Sequence, residues 1–101
     1  MSFELTIYAG IAGLNALTDN VDVEVRLPSG ERYAGTFYAK GNIDILFSKN
    51  KKTGENSNGL YLNMIYSVVV EQLTEEVIKK VVSDLIDENQ LYYSFEKLNN
   101  D

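Results

Sequence analysis

The chain of 101 residues has the size of one domain, and its 45% apolar and 24% charged content are those of an ordinary globular protein with one core. It contains no Cys and no His, which excludes disulfides, a thiolate nucleophile, a Cys/His zinc site, iron–sulfur clusters, a serine–histidine triad and imidazole acid–base chemistry. Fifteen acids against nine bases give a net charge of −6, which opposes binding to a phosphate backbone, so nucleic acid is not an expected partner.

The N-terminal residues carry no basic run, and the uncharged stretch 5–18 is broken by Gly10, Gly13 and Asn15. Neither a signal peptide nor a membrane helix is expected there, and the default location is cytoplasmic. Phe3, Leu5 and Ile7 alternate with Glu4, Thr6 and Tyr8, the period of a strand with one buried face. Residues 9–17 break that period with glycines and small side chains and read as a loop. Val21, Val23, Val25 and Leu27 alternate again with Asp22, Glu24 and Arg26. Pro28-Ser29-Gly30 makes a turn, with Pro presetting φ and Gly taking the left-handed corner. Residues 32–38 return as the hairpin partner, with Tyr33, Gly35 and Phe37 on one face.

Asn42 is placed to cap a short helix over 42–48, with Ile43, Leu46 and Phe47 at i, i+3 and i+4. Residues 49–59 read as a polar loop rich in Lys, Asn and Gly. Residues 60–70, LYLNMIYSVVV, read as one long strand whose all-valine end lies inside the sheet or under a helix. Thr74 then signals a helix start: it is a good N-cap, Glu75 and Glu76 complement the dipole, and Leu73 can staple against Ile78. Val77, Ile78, Val81, Val82, Leu85 and Ile86 form one apolar stripe. Asn89 breaks that helix or caps the next, a short second helix marked by Leu91, Phe95 and Leu98 at i, i+4 and i+7. The expected fold is α+β: an antiparallel sheet of about four strands packed by two C-terminal helices, with a short helix near 42–48.

Several constellations bear on chemistry. Residues 1–70 carry seven acids and six bases, whereas residues 71–101 carry eight acids and three bases, so the negative charge concentrates on the C-terminal helices. Such a face is either ordinary solvated surface or a docking site for a basic protein, whose association it would accelerate. Adjacent carboxylates at Glu75/Glu76 and Asp87/Glu88 point in different directions on a helix and cannot converge on one substrate. Asp19-Asn20-Val21-Asp22 lacks the spaced acids, glycine and terminal glutamate of a calcium loop. Gly10-Ile11-Ala12-Gly13 has the bare spacing of an RNA-clamping loop but no basic residue beside it.

Lys49, Lys51 and Lys52 form the basic patch nearest to an anion-binding loop. Seven tyrosines suit half-buried positions at the core margin, and any exposed together near the C-terminal acids would supply the aromatic part of an interface. The leading expectation is a small acidic, non-enzymatic interaction module that binds a basic protein partner through Glu75, Glu76, Asp87, Glu88, Tyr92 and Tyr93. Small acidic inhibitors of the immunity and anti-defence kind share this size and charge. The rival is a small-molecule or nucleotide-binding domain with a pocket between sheet and helices and lysines from 49–52. An enzyme built on Asp, Glu, Lys and Tyr is chemically allowed but has no motif here. No catalytic residue, metal or cofactor is expected.

Overall fold

The computed structural model describes residues 2–99 and is α+β. β1 (Glu4–Ile7), β2 (Asn20–Arg26) and β3 (Arg32–Ala39) form an antiparallel meander, with β2 and β3 paired as the expected hairpin. Val21, Val23 and Val25 sit opposite Phe37, Gly35 and Tyr33, and all of these face the core. The β2–β3 turn is a three-residue loop. Gly30 N–H donates to the Leu27 carbonyl at 2.9 Å, Leu27 N–H donates to the Glu31 carbonyl at 2.9 Å, and Gly30 has φ 92. A tight turn closed by a left-handed glycine suits the strand twist.

The second edge of β3 is shared by two short strands, making a five-stranded sheet. β4 (Ser67–Val70) runs parallel to β3 over Thr36–Ala39, an exception to the otherwise antiparallel pairing. β5 (Glu96–Leu98) pairs antiparallel with Arg32–Ala34. Five expectations differ from the structure.

The strand expected over 60–70 is confined to Ser67–Val70, because Tyr66 takes a left-handed φ of 49 and ends the extended run. Its valine end is interior only on one face: Val70 belongs to the buried core and Val68 packs against it, but β4 is the terminal strand of the sheet path and Val69 is 51% exposed. The helix expected over 42–48 is α1 (Lys40–Thr53) and includes much of the supposed polar loop. Lys51 and Lys52 favour its C-terminal dipole end, and Gly54 closes it with φ 83. Asn42 does not cap it. That side chain is buried inside the first turn, donating to the Thr18 carbonyl at 2.7 Å and accepting from the Asn20 amide at 3.0 Å. A left-handed turn, α2 (Glu55–Gly59), follows, with Asn56, Ser57 and Asn58 all at positive φ.

The fifth difference concerns the second C-terminal helix, which is a single turn, α4 (Leu91–Ser94). Leu91 and Phe95 are buried at the predicted i, i+4 spacing, but Phe95 is extended, and the chain straightens into β5. The free backbone groups of β3 beyond the end of β4 thereby gain partners, which outweighs continuing a marginal helix.

α3 (Glu75–Asp87) forms as its sequence predicts. Val77 N–H donates to Thr74 Oγ1 at 3.2 Å, and Leu73 and Ile78 are both buried. Ile78 and Val82 are fully buried within the cluster that contains Val23, Val25, Phe37 and Phe95. Burial on that scale contributes about 1.5–3 kcal/mol per side chain. No helix among the described residues is long and apolar enough to cross a membrane.

Candidate functional site

The six C-terminal residues singled out from sequence separate into two groups at opposite ends of α3. Glu75 and Glu76 occupy its first turn, where carboxylates stabilise the dipole, and Glu75 also accepts from Lys79 Nζ at 3.0 Å. A second pair, Lys80 to Asp84 at 2.9 Å, lies midway along the same helix. The hydrogen bond to Asp84, and then that carboxylate's charge, raise the Lys80 pKa above the ordinary lysine value. Two lysines thus neutralise part of the acidic face, and helix stability accounts for Glu75 and Glu76.

Asp87 and Glu88 form no such lysine pair, although the Asp87 charge adds a smaller share to the raising of Lys80. They stand at the C-terminal end of α3, where the dipole disfavours negative charge, and the last turn has no basic residue. The helix stops there through local backbone geometry. Asn89 adopts φ 59, Gln90 N–H donates to the Leu85 carbonyl at 2.8 Å and Asn89 N–H to the Ile86 carbonyl at 3.1 Å. This left-handed cap satisfies the last carbonyls and turns the chain directly into α4.

The first turn of α4 presents Tyr92 and Tyr93, which are 53% and 66% exposed. Their rings stack with centroids 4.1 Å apart and planes inclined at 33°. A hydrogen bond with Tyr93, then burial, raises the Tyr92 phenol pKa. Tyr92 also lines a cleft of about 200 Å³ between the α3–α4 junction and the β2–β3 turn, together with Ile86, Leu91, Leu27 and Glu31. Within seven consecutive residues the chain therefore displays two carboxylates and two stacked phenols. Carboxylates pair with guanidinium or ammonium groups, and aromatic faces attract the same cations.

Other candidates resolve into structure. Asp19 accepts from the Asn15 N–H at 2.7 Å and Asp22 accepts from the Thr36 hydroxyl at 2.6 Å, so each serves its own turn or strand pair. No group of three or more His, Cys, Asp or Glu able to hold a metal ion occurs among the described residues. Ala9 and Gly10, at φ 66 and 72, make the turn after β1, with Gly10 N–H donating to the Ile7 carbonyl. Lys49 and Lys52 border a surface depression lined by α1 alone, with Asp44 and Ile45, rather than a pocket between sheet and helices.

Most tyrosines are not core margin. Tyr33 is buried and Tyr38 half-buried, but Tyr8, Tyr61, Tyr66, Tyr92 and Tyr93 are exposed. A second surface was not anticipated from sequence: Leu60, Tyr61, Ile65, Tyr66 and Val69 are all exposed along the segment leading into β4 and on β4 itself. The available signal was length, since an uncharged run over 60–70 is about twice a typical strand. The chain matches no family model, no curated protein and no solved structure.

Proposed function

We propose that this protein is a non-enzymatic interaction module that docks a basic protein surface at the α3–α4 junction, through Asp87, Glu88, Tyr92 and Tyr93. The observation that carries this reading is a pair of acids held against the helix dipole beside two exposed, stacked tyrosines. The acids cost α3 stability, and a cationic partner would reverse that cost. Exposed tyrosines bring contact area at little conformational entropy, as interface anchors do. An inhibitor that covers a basic site on its target is the form of this activity that suits the chain's size and charge.

The test is a titration of the protein with an oligoarginine peptide and with its oligolysine counterpart, followed by amide chemical shifts. Shifts should centre on Asp87, Glu88, Tyr92 and Tyr93. Arginine should bind more tightly than lysine, because a planar guanidinium stacks on phenol rings. Reversing Asp87 and Glu88 to lysine should remove the response and flatten its salt dependence, whereas reversing Glu4 and Glu96 makes the same change in net charge elsewhere and should leave it. Shifts spread evenly over all carboxylates, or equal loss in both double variants, would reduce the acids to ordinary solvated surface.

A further inference from the structure

β4 ends the sheet, and its own four residues carry no guard against pairing. Thr36 N–H donates to the Tyr66 carbonyl, so residues 66, 68 and 70 face β3, and Ser67, Val69 and Glu71 turn their backbone groups outward. Natural edge strands are guarded by lysine, proline, bulges or covering elements. The sequence of β4, SVVV, has neither charge nor proline. β1, at the opposite edge, differs: it carries Glu4, and its outward Ile7 carbonyl is taken by Gly10 N–H.

We propose that β4 is the seam of a homodimer in which two copies pair their β4 strands antiparallel about a twofold axis at Val69. Self-pairing fits for three reasons. An axis at Val69 sets Val69 opposite Val69 of the second copy and Ser67 opposite Glu71, so every outward residue meets an outward residue. That gives two hydrogen bonds at the Val69 pair, and about six once Glu71, which stands in the bend after β4, extends against Ser67. The side-chain pairs in this register are Val68 with Val70 and Val69 with itself, so no like charges oppose each other. Although each copy carries −6, residues 60–70 contain no charged side chain, and a charged partner would leave its own charges unpaired there. Val69, 51% exposed, lies where the second copy would cover apolar surface. The isologous contact closes at two copies and removes the exposed edge.

Sedimentation over a concentration series tests this independently of the peptide titration at the α3–α4 junction. The intact chain should approach twice 11.4 kDa as concentration rises, and exchange of the Val69 amide should slow in parallel. Val69→Lys places two ammonium groups face to face and should weaken dimerisation at least about tenfold while the far-ultraviolet dichroism stays unchanged. Val69→Glu should do the same, and an equimolar mixture of the two variants should recover a heterodimer. A chain that stays monomeric to millimolar concentration overturns the proposal, as does a Val69→Lys variant that still dimerises. Two folded variants that fail to pair when mixed overturn the register. If both variants unfold, the concentration dependence of Val69 exchange in the unaltered chain decides alone: exchange that does not slow rejects the seam.

Discussion

The Phe95 ring packs directly against the bare backbone of Gly35: a Cβ built on Gly35 would fall inside the ring's contact distance at Cδ1, Cε1 and Cγ. The same ring meets Phe37 edge-on, with centroids 5.8 Å apart and planes at 84°. Gly35 is thus the socket that brings the C-terminal segment under the sheet, and it lies between the stretches of β3 that pair with β4 and β5.

Gly35→Ala should therefore destabilise the fold by about 1–3 kcal/mol, the usual cost of overpacking a filled site. Gly13→Ala, with nothing within 4 Å of its added carbon, should change stability by less than about 0.5 kcal/mol. Denaturant midpoints of the two variants compare them directly. Equal midpoints would mean that Phe95 moves freely.

The apolar stripe of α3 is graded. Val82 is fully buried and Val81 only half-buried, so Val82→Asp should cost more than about 3 kcal/mol while Val81→Asp costs clearly less, its carboxylate reaching water. Lys80→Asp, on the exposed side, should be the mildest of the three. Thermal melts giving any other order would show that the helix is rotated.

Asn42 ties α1 to the loop before β2. Asn42→Leu leaves the Thr18 carbonyl and the Asn20 amide without that partner and should cost about 1–3 kcal/mol. Amide exchange should quicken first in the opening turn of α1 and around Thr18. A uniform change across the domain would argue that α1 is not held by this contact.

The hairpin end carries a pH-dependent pair. The Lys97 ammonium, donating to Glu31 at 3.0 Å, and then the Ser29 hydroxyl hold the Glu31 pKa below its ordinary range. Lys97 is correspondingly raised by Glu31. A depressed carboxyl adds stability that is present above its unfolded pKa and lost as pH falls through its folded pKa. A raised lysine adds stability that is present below its unfolded pKa and lost as pH rises through its folded pKa. The pair thus supports the fold between the ordinary glutamate and lysine ranges, and Lys97→Gln should move the Glu31 carboxyl titration upward by carbon-13 shifts. An unmoved titration would assign the effect to the Ser29 and Tyr33 hydroxyls, which also donate to Glu31.

The β2–β3 hairpin and α3 were determined by sequence alone, because their causes are local. Pro28-Ser29-Gly30 presets the turn, valine alternation selects one face, and Thr74 with Leu73 and Ile78 starts the helix. The acidity of residues 71–101 and the closeness of Asp87, Glu88, Tyr92 and Tyr93 along the chain are equally local. What only the tertiary structure decided is how the second edge of β3 is divided. Residues 60–70 can extend by propensity, and residues 91–98 have helical spacing. Yet β3 offers one row of unpaired backbone groups, which β4 takes at one end and β5 at the other. Exposure of Val69 and stacking of the Tyr92 and Tyr93 rings follow from that division and from the turn at Asn89. Hydrogen-bond partners and solvent contact are settled between segments distant in sequence, and no local pattern encodes them.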